Sequence, residues 1–263
     1  MGKILAITNQ KGGVGKTTTS VNLAASLVAT KRRVLLVDLD PQGNATMGSG
    51  VNKNTLGVTS CDVLLGEVSI TDAALKVEQA GYTLVPSNSD LTAAEVALMN
   101  IPEREARLRN ALKPVQENFD YIIIDCQPTL NMLTINALVA AHGVIIPMQC
   151  EYYALEGLTA LLDTIEKIRE TLNPSLRIEG LLRTMFDPRN NLANDVSSQL
   201  VSHFGEKVYR TVVPRNVRLA EAPSHGLPVM LYDRTSRGAL AYLALAGELL
   251  RKETKERAVT VMN

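Results

Sequence analysis

Residues 10–18 concentrate the residue types that hold phosphate groups; they read Gln-Lys-Gly-Gly-Val-Gly-Lys-Thr-Thr. Glycines let the backbone turn tightly and bring several N–H groups close to one anion. The segment that follows has helical spacing, and a helix N-terminus adds partial positive charge. We therefore expect a backbone cradle for phosphate, formed by Gly12, Gly13, Val14 and Gly15.

The side chains at the end of this loop add contacts that a backbone cradle lacks. Lys16 can reach the β- and γ-phosphates of a nucleotide, the Thr17 hydroxyl can ligate Mg²⁺, and Thr18 can bond the α-phosphate. Together they predict a site for a nucleoside triphosphate with magnesium. The alternative is a glycine-rich turn with lysines beside it.

A phosphate-binding loop must connect a strand to a helix. Ile4–Ile7 is a short apolar run typical of a buried strand, and Ser20–Leu27 has helical spacing. The loop departs from the common pattern G-x-x-x-x-G-K-[ST], because Gln10 stands at the first glycine position and Lys11 precedes the glycine pair. The context therefore predicts a phosphate-binding loop that carries one additional lysine.

Carboxylates close two other apolar strands. Asp125 follows three isoleucines, where it can hold Mg²⁺ directly or through water; the alternative is a cap for the next helix. Asp38 and Asp40 follow the run Val34–Val37, and one of them should orient or deprotonate the attacking water. We assign that role to Asp40, which begins a loop with Pro and Gly. Asp38 is left near the metal, and an Asx-turn is the alternative for each.

Apolar runs alternate with helical segments along the chain, which favours an α/β fold with a doubly wound, mainly parallel sheet flanked by helices. We find no internal repeat and no linker, and therefore predict a single domain over residues 1–263. Ligands of such sheets bind beyond the carboxyl ends of the strands. The predicted strands are 4–7, 33–38, 82–86, 121–125, 143–148, 178–186 and 208–213, and the predicted helices are 20–27, 93–99, 103–118, 131–141, 155–172, 195–204 and 237–255.

The composition limits the classes of partner and compartment. Lys+Arg and Asp+Glu are both 27, so nucleic-acid binding must come from a local patch rather than from overall charge. Cys61, Cys126 and Cys150 are widely spaced, which suits a reducing cytosol better than a disulfide framework. We recognise neither a signal peptide nor an apolar run that spans a membrane. We expect a cytoplasmic protein.

The loop form K-G-G-x-G-K-T resembles the deviant Walker A loop of the ParA/MinD ATPase group, and the resemblance to small ParA proteins of the Soj kind covers nearly the whole chain. The matching stretches are Lys11–Thr18, Val37–Thr46, Tyr121–Cys126, Gln149–Leu158 and Val213–Gly226. The last two of these stretches are long and distinctive. The resemblance implies a P-loop NTPase that uses ATP and Mg²⁺ and partitions a chromosome or plasmid with a ParB-type partner protein.

The resemblance also implies roles for individual residues. Lys11 would cross a dimer interface to the partner's nucleotide, and Gly12 would lie where two subunits meet face to face. Glu151 would lie near the partner's nucleotide. The corner from Pro214 to Asn216 would help to cover the adenine.

DNA binding is implied by the same resemblance and is supported by local charge. Arg189 and Arg218 would touch DNA phosphates, and Arg215 lies in a loop-to-helix region where a helix N-terminus can assist. No helix-turn-helix, zinc module or basic arm is recognisable, so we expect binding to double-stranded DNA without sequence preference and with steep salt dependence. Two patches joined in an ATP-dependent homodimer bind more tightly by avidity.

These features predict a nucleotide-driven cycle. Mg-ATP favours a face-to-face sandwich dimer, the dimer binds DNA, and slow hydrolysis releases it. The resemblance implies that the ParB-type partner accelerates hydrolysis. We therefore expect a slow ATP hydrolase associated with the nucleoid.

One departure from the family pattern lies beside Asp125. The family usually reads D-C-P-P-S-L there, whereas this chain reads D-C-Q-P-T-L, so that Gln127 stands in place of a proline. Losing the proline frees the backbone and supplies an N–H group. Altered dynamics of the loop and a change without effect are both open.

Two rival functions belong to other classes. A MinD-like membrane-associated positioning ATPase needs a C-terminal amphipathic helix, whereas residues 252–263 mix acids with bases and carry little apolar area. A metal-cluster carrier of the nitrogenase iron-protein type needs cysteines shared between subunits, and only Cys126 adjoins the predicted site. We therefore expect no membrane contact and no cluster.

Overall fold

A computed structural model describes residues 2–152 and 154–262, apart from the side chains of residues 155, 156 and 256–262. Tyr153, which belongs to the Gln149–Leu158 motif, lies outside the described residues. So do the side chains at the end of the tail, on which the membrane alternative depends. None of the described helices combines the length and the apolar character that crossing a membrane requires.

The described residues form one eight-stranded sheet in the order β3-β4-β2-β5-β1-β6-β7-β8, in which only β3 runs antiparallel to its neighbour. The strands are β1 (Lys3–Ile7), β2 (Val34–Leu39), β3 (Leu75–Lys76), β4 (Thr83–Val85), β5 (Tyr121–Cys126), β6 (Gly143–Gln149), β7 (Arg177–Phe186) and β8 (Val208–Pro214). This arrangement confirms the predicted doubly wound, mainly parallel sheet.

Helices cover both faces of the sheet, as parallel strands without a polar face require. The helices are α1 (Lys16–Ala29), α2 (Asn44–Gly48), α3 (Ser60–Leu65), α4 (Ile70–Ala73), α5 (Leu91–Leu98), α6 (Arg107–Leu112), α7 (Met132–Ala140), α8 (Ala154–Thr171), α9 (Asn191–Phe204), α10 (Val217–Glu221), α11 (Val229–Tyr232) and α12 (Arg237–Met262). Successive residues of β1 point to opposite faces, so Ile4 and Ala6 pack in one core while Leu5 and Ile7 pack in the other.

The central strands bring the predicted functional residues to one edge. β5 lies between β1 and β2, and its residues are all buried. Asp125 is in register with Ile7 on one side and with Asp38 on the other. The loops that follow these three strands therefore meet at the same carboxyl edge.

Some predicted boundaries are wrong. The helix expected over 103–118 is interrupted: α6 spans only Arg107–Leu112 and is flanked by short 3₁₀ turns, because Pro114 has no N–H for a longer helix. Helix α9 begins at Asn191 rather than at 195, since the Asn190 side chain caps it by accepting from the N–H of Ala193. The short edge strand β3 was not predicted.

Candidate functional site

The phosphate loop joins β1 to α1, and its glycines adopt backbone conformations that other residues avoid. Gly13 and Gly15 have φ of 73° and 88°, where a β-carbon causes strain. A β-carbon on Gly12 meets nothing within 4 Å, so this part of the loop faces open space. Val14 is buried, and only its backbone can face an anion.

Three polar side chains that the sequence reasoning missed hold this loop in position. Asn9 accepts from the N–H of Lys11 at 3.0 Å and donates to the carbonyl of Pro147. Gln149 donates to the carbonyl of Gly13, and the Thr184 hydroxyl donates to that of Val14 at 2.8 Å. The available signal was their position at the carboxyl ends of strands β1, β6 and β7.

A cavity of about 630 Å³ lies in front of the loop. It brings together Lys16, the loop glycines, Asp40 and part of the segment after β5. The predicted residues in its lining are Gly12, Gly13, Gly15, Lys16, Thr17, Thr18 and Asp40, and the others include Gln127 and Met185. Core packing is the ordinary use of a methionine that ends a strand, but Met185 faces this cavity and has an unusual φ of 49°.

Lys16 is only 7% exposed, and its ammonium donates to the carbonyl of Lys11 at 3.0 Å. Burial lowers the pKa of Lys16, although Asp125, Cys126 and Asp40 oppose that shift. A bound phosphate would favour the charged form and would offset the cost of burial. The buried ammonium at the floor of the cavity is therefore suited to an anionic ligand.

Thr17 and Asp125 form a pair of oxygen donors beside Lys16. The Thr17 hydroxyl donates to Oδ2 of Asp125 at 2.8 Å, and the Ser20 hydroxyl donates to Oδ1 at 2.7 Å. Burial raises the pKa of Asp125 to about 8, and repulsion from Asp38 adds to the shift. The hydroxyl and carboxylate oxygens of this pair are ligands that Mg²⁺ prefers. The charge of Mg²⁺ would also stabilise the Asp125 carboxylate, whose ionisation burial disfavours.

Asp38 and Asp40 have different surroundings. Asp38 is fully buried and accepts from the N–H groups of Asp40 and Thr46 and from the Thr46 hydroxyl. Burial raises the pKa of Asp38 to about 6. Asp40 lines the cavity and uses one carboxylate oxygen to accept from the N–H of Gln42. Asp40 can thus meet a ligand, whereas Asp38 holds the loop that carries it.

The Lys11 side chain contacts Glu151 rather than the cavity. Its ammonium lies 2.5 Å from Oε2 of Glu151 in the same chain, and both side chains are about half exposed. Neither residue belongs to the lining of the cavity. The two residues that the resemblance assigns to the partner's nucleotide therefore contact each other at the surface.

The corner predicted to cover an adenine lies beside the next strands. Pro214 ends β8 opposite Phe186 of β7, and Asn216 caps α10 by accepting from the N–H of Arg218. Pro214 lines a separate apolar groove of about 370 Å³ rather than the cavity at the phosphate loop. The structure therefore does not bring this corner together with the phosphate loop in one cavity.

The predicted DNA-binding arginines are exposed and engaged by carboxylates of their own chain. The guanidinium of Arg189 makes two hydrogen bonds to Asp187, at 2.9 and 2.7 Å. Arg218 contacts Glu221 at 2.7 Å and Asp233 at 3.3 Å. Arg215 helps to hold the pKa of Asp187 low, after the hydrogen bonds from Arg189. These arginines follow the adjacent strands β7 and β8 and thus lie at the same edge of the sheet.

Comparison with known sequences shows relatives along nearly the whole chain. A protein-family model described as an AAA domain matches residues 2–178. The sporulation initiation inhibitor protein Soj of Bacillus subtilis is 53% identical over 249 residues, covering 95% of this chain and 98% of its own. The chromosome partitioning protein ParA of Caulobacter vibrioides is 49% identical over 258 residues, with 97% of each chain covered.

Solved structures share the fold closely. The cobyrinic acid a,c-diamide synthase of Mycobacterium smegmatis, crystallised with ADP and magnesium, has a TM-score of 0.86 and 40% identity, with 97% of this chain and 96% of that chain covered. The septum site-determining protein MinD of Pyrococcus horikoshii, in complex with Mg-ADP, has a TM-score of 0.79 and 25% identity. The match covers 95% of this chain and 96% of the MinD chain. Both proteins carry a magnesium nucleotide.

Proposed function

The chain belongs to the ParA/Soj family of chromosome-partitioning ATPases, and from that premise we propose that it couples ATP hydrolysis to reversible DNA binding. Residues 1–263 act as a single ATPase domain in this proposal. The observation that carries it is the cavity lined by the buried Lys16, by Asp40 and by Thr17, whose hydroxyl donates to the buried Asp125 behind it.

ATP binds in front of the phosphate loop. The N–H groups of Gly12 to Gly15 and the Lys16 ammonium hold the β- and γ-phosphates, and Thr18 holds the α-phosphate. Thr17 and Asp125 hold Mg²⁺, which neutralises charge that develops on the phosphates. The Ser20 hydroxyl supports this pair by fixing the second oxygen of Asp125.

Asp40 orients the water that attacks the γ-phosphate. Its loop is held by two contacts: the N–H of Asp40 donates to Asp38, and the Ser87 hydroxyl donates to the carbonyl of Asp40. Phosphoryl transfer depends mainly on positioning, so a carboxylate at the rim of the cavity is enough to direct a water molecule. Turnover is slow until a ParB-type partner protein binds.

Bound ATP also brings two subunits together. Lys11 leaves Glu151, crosses the interface beside Gly12 and adds its charge to the partner's phosphates, near which Glu151 then lies. The absence of steric contact at Gly12 supports a close approach on this side of the loop. Pro214 and Asn216 help to enclose the base. Loss of the γ-phosphate weakens the sandwich dimer and separates the subunits.

The dimer joins two sets of Arg189, Arg215 and Arg218 into one surface for double-stranded DNA. Contacts of arginine with phosphates carry no sequence information, so binding is non-specific and nucleoid-wide. Because dimerisation depends on ATP and DNA binding depends on the dimer, DNA must in turn favour the ATP-bound dimer. Hydrolysis releases the DNA.

The rival functions have less support. Identity is higher to the partition proteins, at 49% and 53%, than to the diamide synthase at 40% or to MinD at 25%. The cluster-carrier alternative needs a reactive thiolate, yet burial and the neighbouring Asp125 raise the pKa of Cys126.

The proposal is tested by DNA binding of wild type, Asp40→Ala and Lys16→Ala with Mg-ATP, with Mg-ADP and without nucleotide. We expect wild type to bind DNA with ATP, Asp40→Ala to remain bound far longer, and Lys16→Ala not to bind. Equal DNA binding by the wild type in all three nucleotide states contradicts the coupling. Normal hydrolysis by Asp40→Ala moves the water-orienting role to another residue, with Asp38 the first to examine.

A further inference from the structure

Gln127 carries a buried amide nitrogen without a partner. The residue follows β5, two positions after Asp125, and is 9% exposed. Among the described residues, no atom accepts a hydrogen bond from its Nε2. Its Oε1 accepts from the Thr129 hydroxyl at 3.3 Å, which directs the NH₂ group away from Thr129.

Strand order fixes where this NH₂ group can act. Strand β5 lies between β1, which leads into the phosphate loop, and β2, which leads to Asp40. Leu39 and Cys126 are in register at the ends of β2 and β5, so Asp40 and Gln127 are the first residues after two adjacent strands. Gln127 lines the same cavity as Lys16 and Asp40. It therefore lies between the lysine that holds the terminal phosphates and the carboxylate that orients the attacking water.

A buried donor without an acceptor is costly, and native proteins rarely retain one unless a ligand or water satisfies it. In the proposed function the base lies towards the corner from Pro214 to Asn216, so the groups of the nucleotide that would face Gln127 are its phosphate oxygens. The proposed function assigns the α-phosphate to Thr18, on the helix side. The acceptor that matches the position of Gln127 is therefore an oxygen of the γ-phosphate.

We propose that Nε2 of Gln127 donates a hydrogen bond to the γ-phosphate of bound ATP and makes the site prefer ATP to ADP. This inference rests on the proposed function, since it assumes that the cavity takes a triphosphate. A proline at position 127, which the family pattern led us to expect, has no side-chain donor. Gln127 thus gives this chain a means of sensing the γ-phosphate that a proline cannot supply.

The test compares Gln127→Met and Gln127→Pro with a matched control, Gln116→Met. Methionine has nearly the length of glutamine but donates no hydrogen bond. Gln116 is also a buried glutamine, but its Nε2 donates to the carbonyl of Gly2 at 2.8 Å, away from the cavity. All variants are made in a Lys11→Ala background and checked to be monomeric by sedimentation, so that dimerisation does not add to the affinity for ATP.

Dissociation constants are measured for Mg-ADP and for a non-hydrolysable Mg-ATP analogue, together with the melting temperature of the unliganded protein. We expect Gln127→Met and Gln127→Pro to lose roughly tenfold of the preference for the ATP analogue, the loss of one hydrogen bond to a charged group, with ADP affinity unchanged. The melting temperature of Gln127→Met should not fall, because the unpaired donor is removed and the exposed Thr129 can bond to water in place of Oε1. Gln116→Met should melt at a lower temperature and keep the preference.

Two results overturn the inference. One is an unchanged preference in Gln127→Met; the other is an equal loss of affinity for both nucleotides, which marks a merely structural role. If the folded Lys11→Ala parent and wild type bind neither nucleotide, the proposed function itself fails, and this inference fails with it.

Discussion

The Lys11 ammonium forms an ion pair with Glu151 of its own chain, with 2.5 Å between Nζ and Oε2. Half-exposed pairs of this kind contribute about 1 kcal/mol or less to stability. In the proposed dimer, a triphosphate on the second subunit would be a stronger partner for the same lysine. The charge of Lys11 is therefore neutralised in a single subunit by a pair that is weak enough to break when Lys11 changes partner. Arg189 and Arg218 are likewise neutralised by carboxylates of their own chain.

The two lysines of the phosphate loop should have separable roles. We expect Lys11→Ala to bind ATP as a monomer nearly as well as wild type but not to dimerise, because its ammonium lies outside the cavity. Lys16→Ala should lose ATP affinity by about tenfold to hundredfold, since a buried charge-assisted contact is removed. Titration with a fluorescent ATP analogue measures binding, and sedimentation measures dimerisation.

The exposed Lys113 supplies the control for this pair, because Lys113→Ala removes a lysine on another surface. It should leave both binding and dimerisation unchanged. A Lys11→Ala monomer that loses as much ATP affinity as Lys16→Ala would show that Lys11 acts on the nucleotide of its own subunit.

The Thr17 hydroxyl should govern the effect of magnesium. Thr17→Val removes both the proposed Mg²⁺ ligand and the donor 2.8 Å from Asp125, while Thr17→Ser keeps both. The measured quantity is the ratio of ATP affinity in Mg²⁺ to ATP affinity in EDTA. We expect this ratio to fall about tenfold in Thr17→Val, because one contact to a charged group is lost, and to stay unchanged in Thr17→Ser. Calorimetric titration with ATP in a magnesium buffer and in an EDTA buffer measures both affinities. An undiminished effect of Mg²⁺ in Thr17→Val would refute the role of Thr17 as a magnesium ligand.

The arginines at the edge of β7 and β8 should set the salt dependence of DNA binding. In an Asp40→Ala background with ATP, Arg218→Ala should make the slope of log K against log salt shallower by about 2 per dimer, one phosphate contact from each subunit. Anisotropy of a labelled duplex at several salt concentrations gives the slope. Arg251→Ala, on the exposed side of α12, serves as the control and should keep the slope.

Removing the carboxylate that neutralises Arg189 should act in the opposite direction. Asp187 accepts two side-chain hydrogen bonds from Arg189, and Asp187→Asn leaves that arginine its full charge for a DNA phosphate. We expect tighter DNA binding at low salt and little change at high salt, because the gain is electrostatic. Weaker binding by Asp187→Asn at low salt would mean that Asp187 holds Arg189 in the orientation that DNA requires.

His142 should make stability depend on pH. Its Nδ1 accepts from the N–H of Ile4 at 2.9 Å, and burial, with the charges of Arg177 and Lys3, lowers its pKa from 6.5. Below that value the unfolded chain binds a proton that the folded chain excludes. The stabilisation is therefore complete above pH 6.5 and is lost as pH falls through the lower folded value.

His142→Asn tests this, because the Asn Oδ1 can accept from the same N–H but does not titrate. Urea unfolding from about pH 7.5 down to about 5.5 should show a smaller loss of stability in the variant than in wild type. The difference between the two proteins isolates His142 from the carboxylates that also titrate. An identical pH dependence in both proteins would show that His142 binds protons equally in the folded and unfolded states, and would contradict this prediction.

Local patterns were enough to predict which residues of the phosphate loop and of the strand ends lie near one another. The spacing of Gly13, Gly15, Lys16 and Thr17 required a tight turn followed by a helix N-terminus, and the apolar strand before Asp125 indicated a buried carboxylate at a strand end. Such patterns determine backbone shape over a few residues, and they identified a mainly parallel sheet with the right strands. They were weaker where a polar cap or a proline decided the ends of a helix, as at Asn190 and Pro114.

Only the tertiary structure decided which remote residues meet. Strand order set β6 and β7 beside β1, so Gln149 and Thr184 hold the phosphate loop, and it set Glu151 against Lys11. It also left the buried Gln127 amide in the lining of the cavity that Lys16 and Asp40 share. Periodicity is a local property of the chain, whereas contacts between distant segments depend on how strands pair and helices pack across the whole sheet. The sequence by itself determined the phosphate-binding chemistry, and the packing decided which partners its charged groups have.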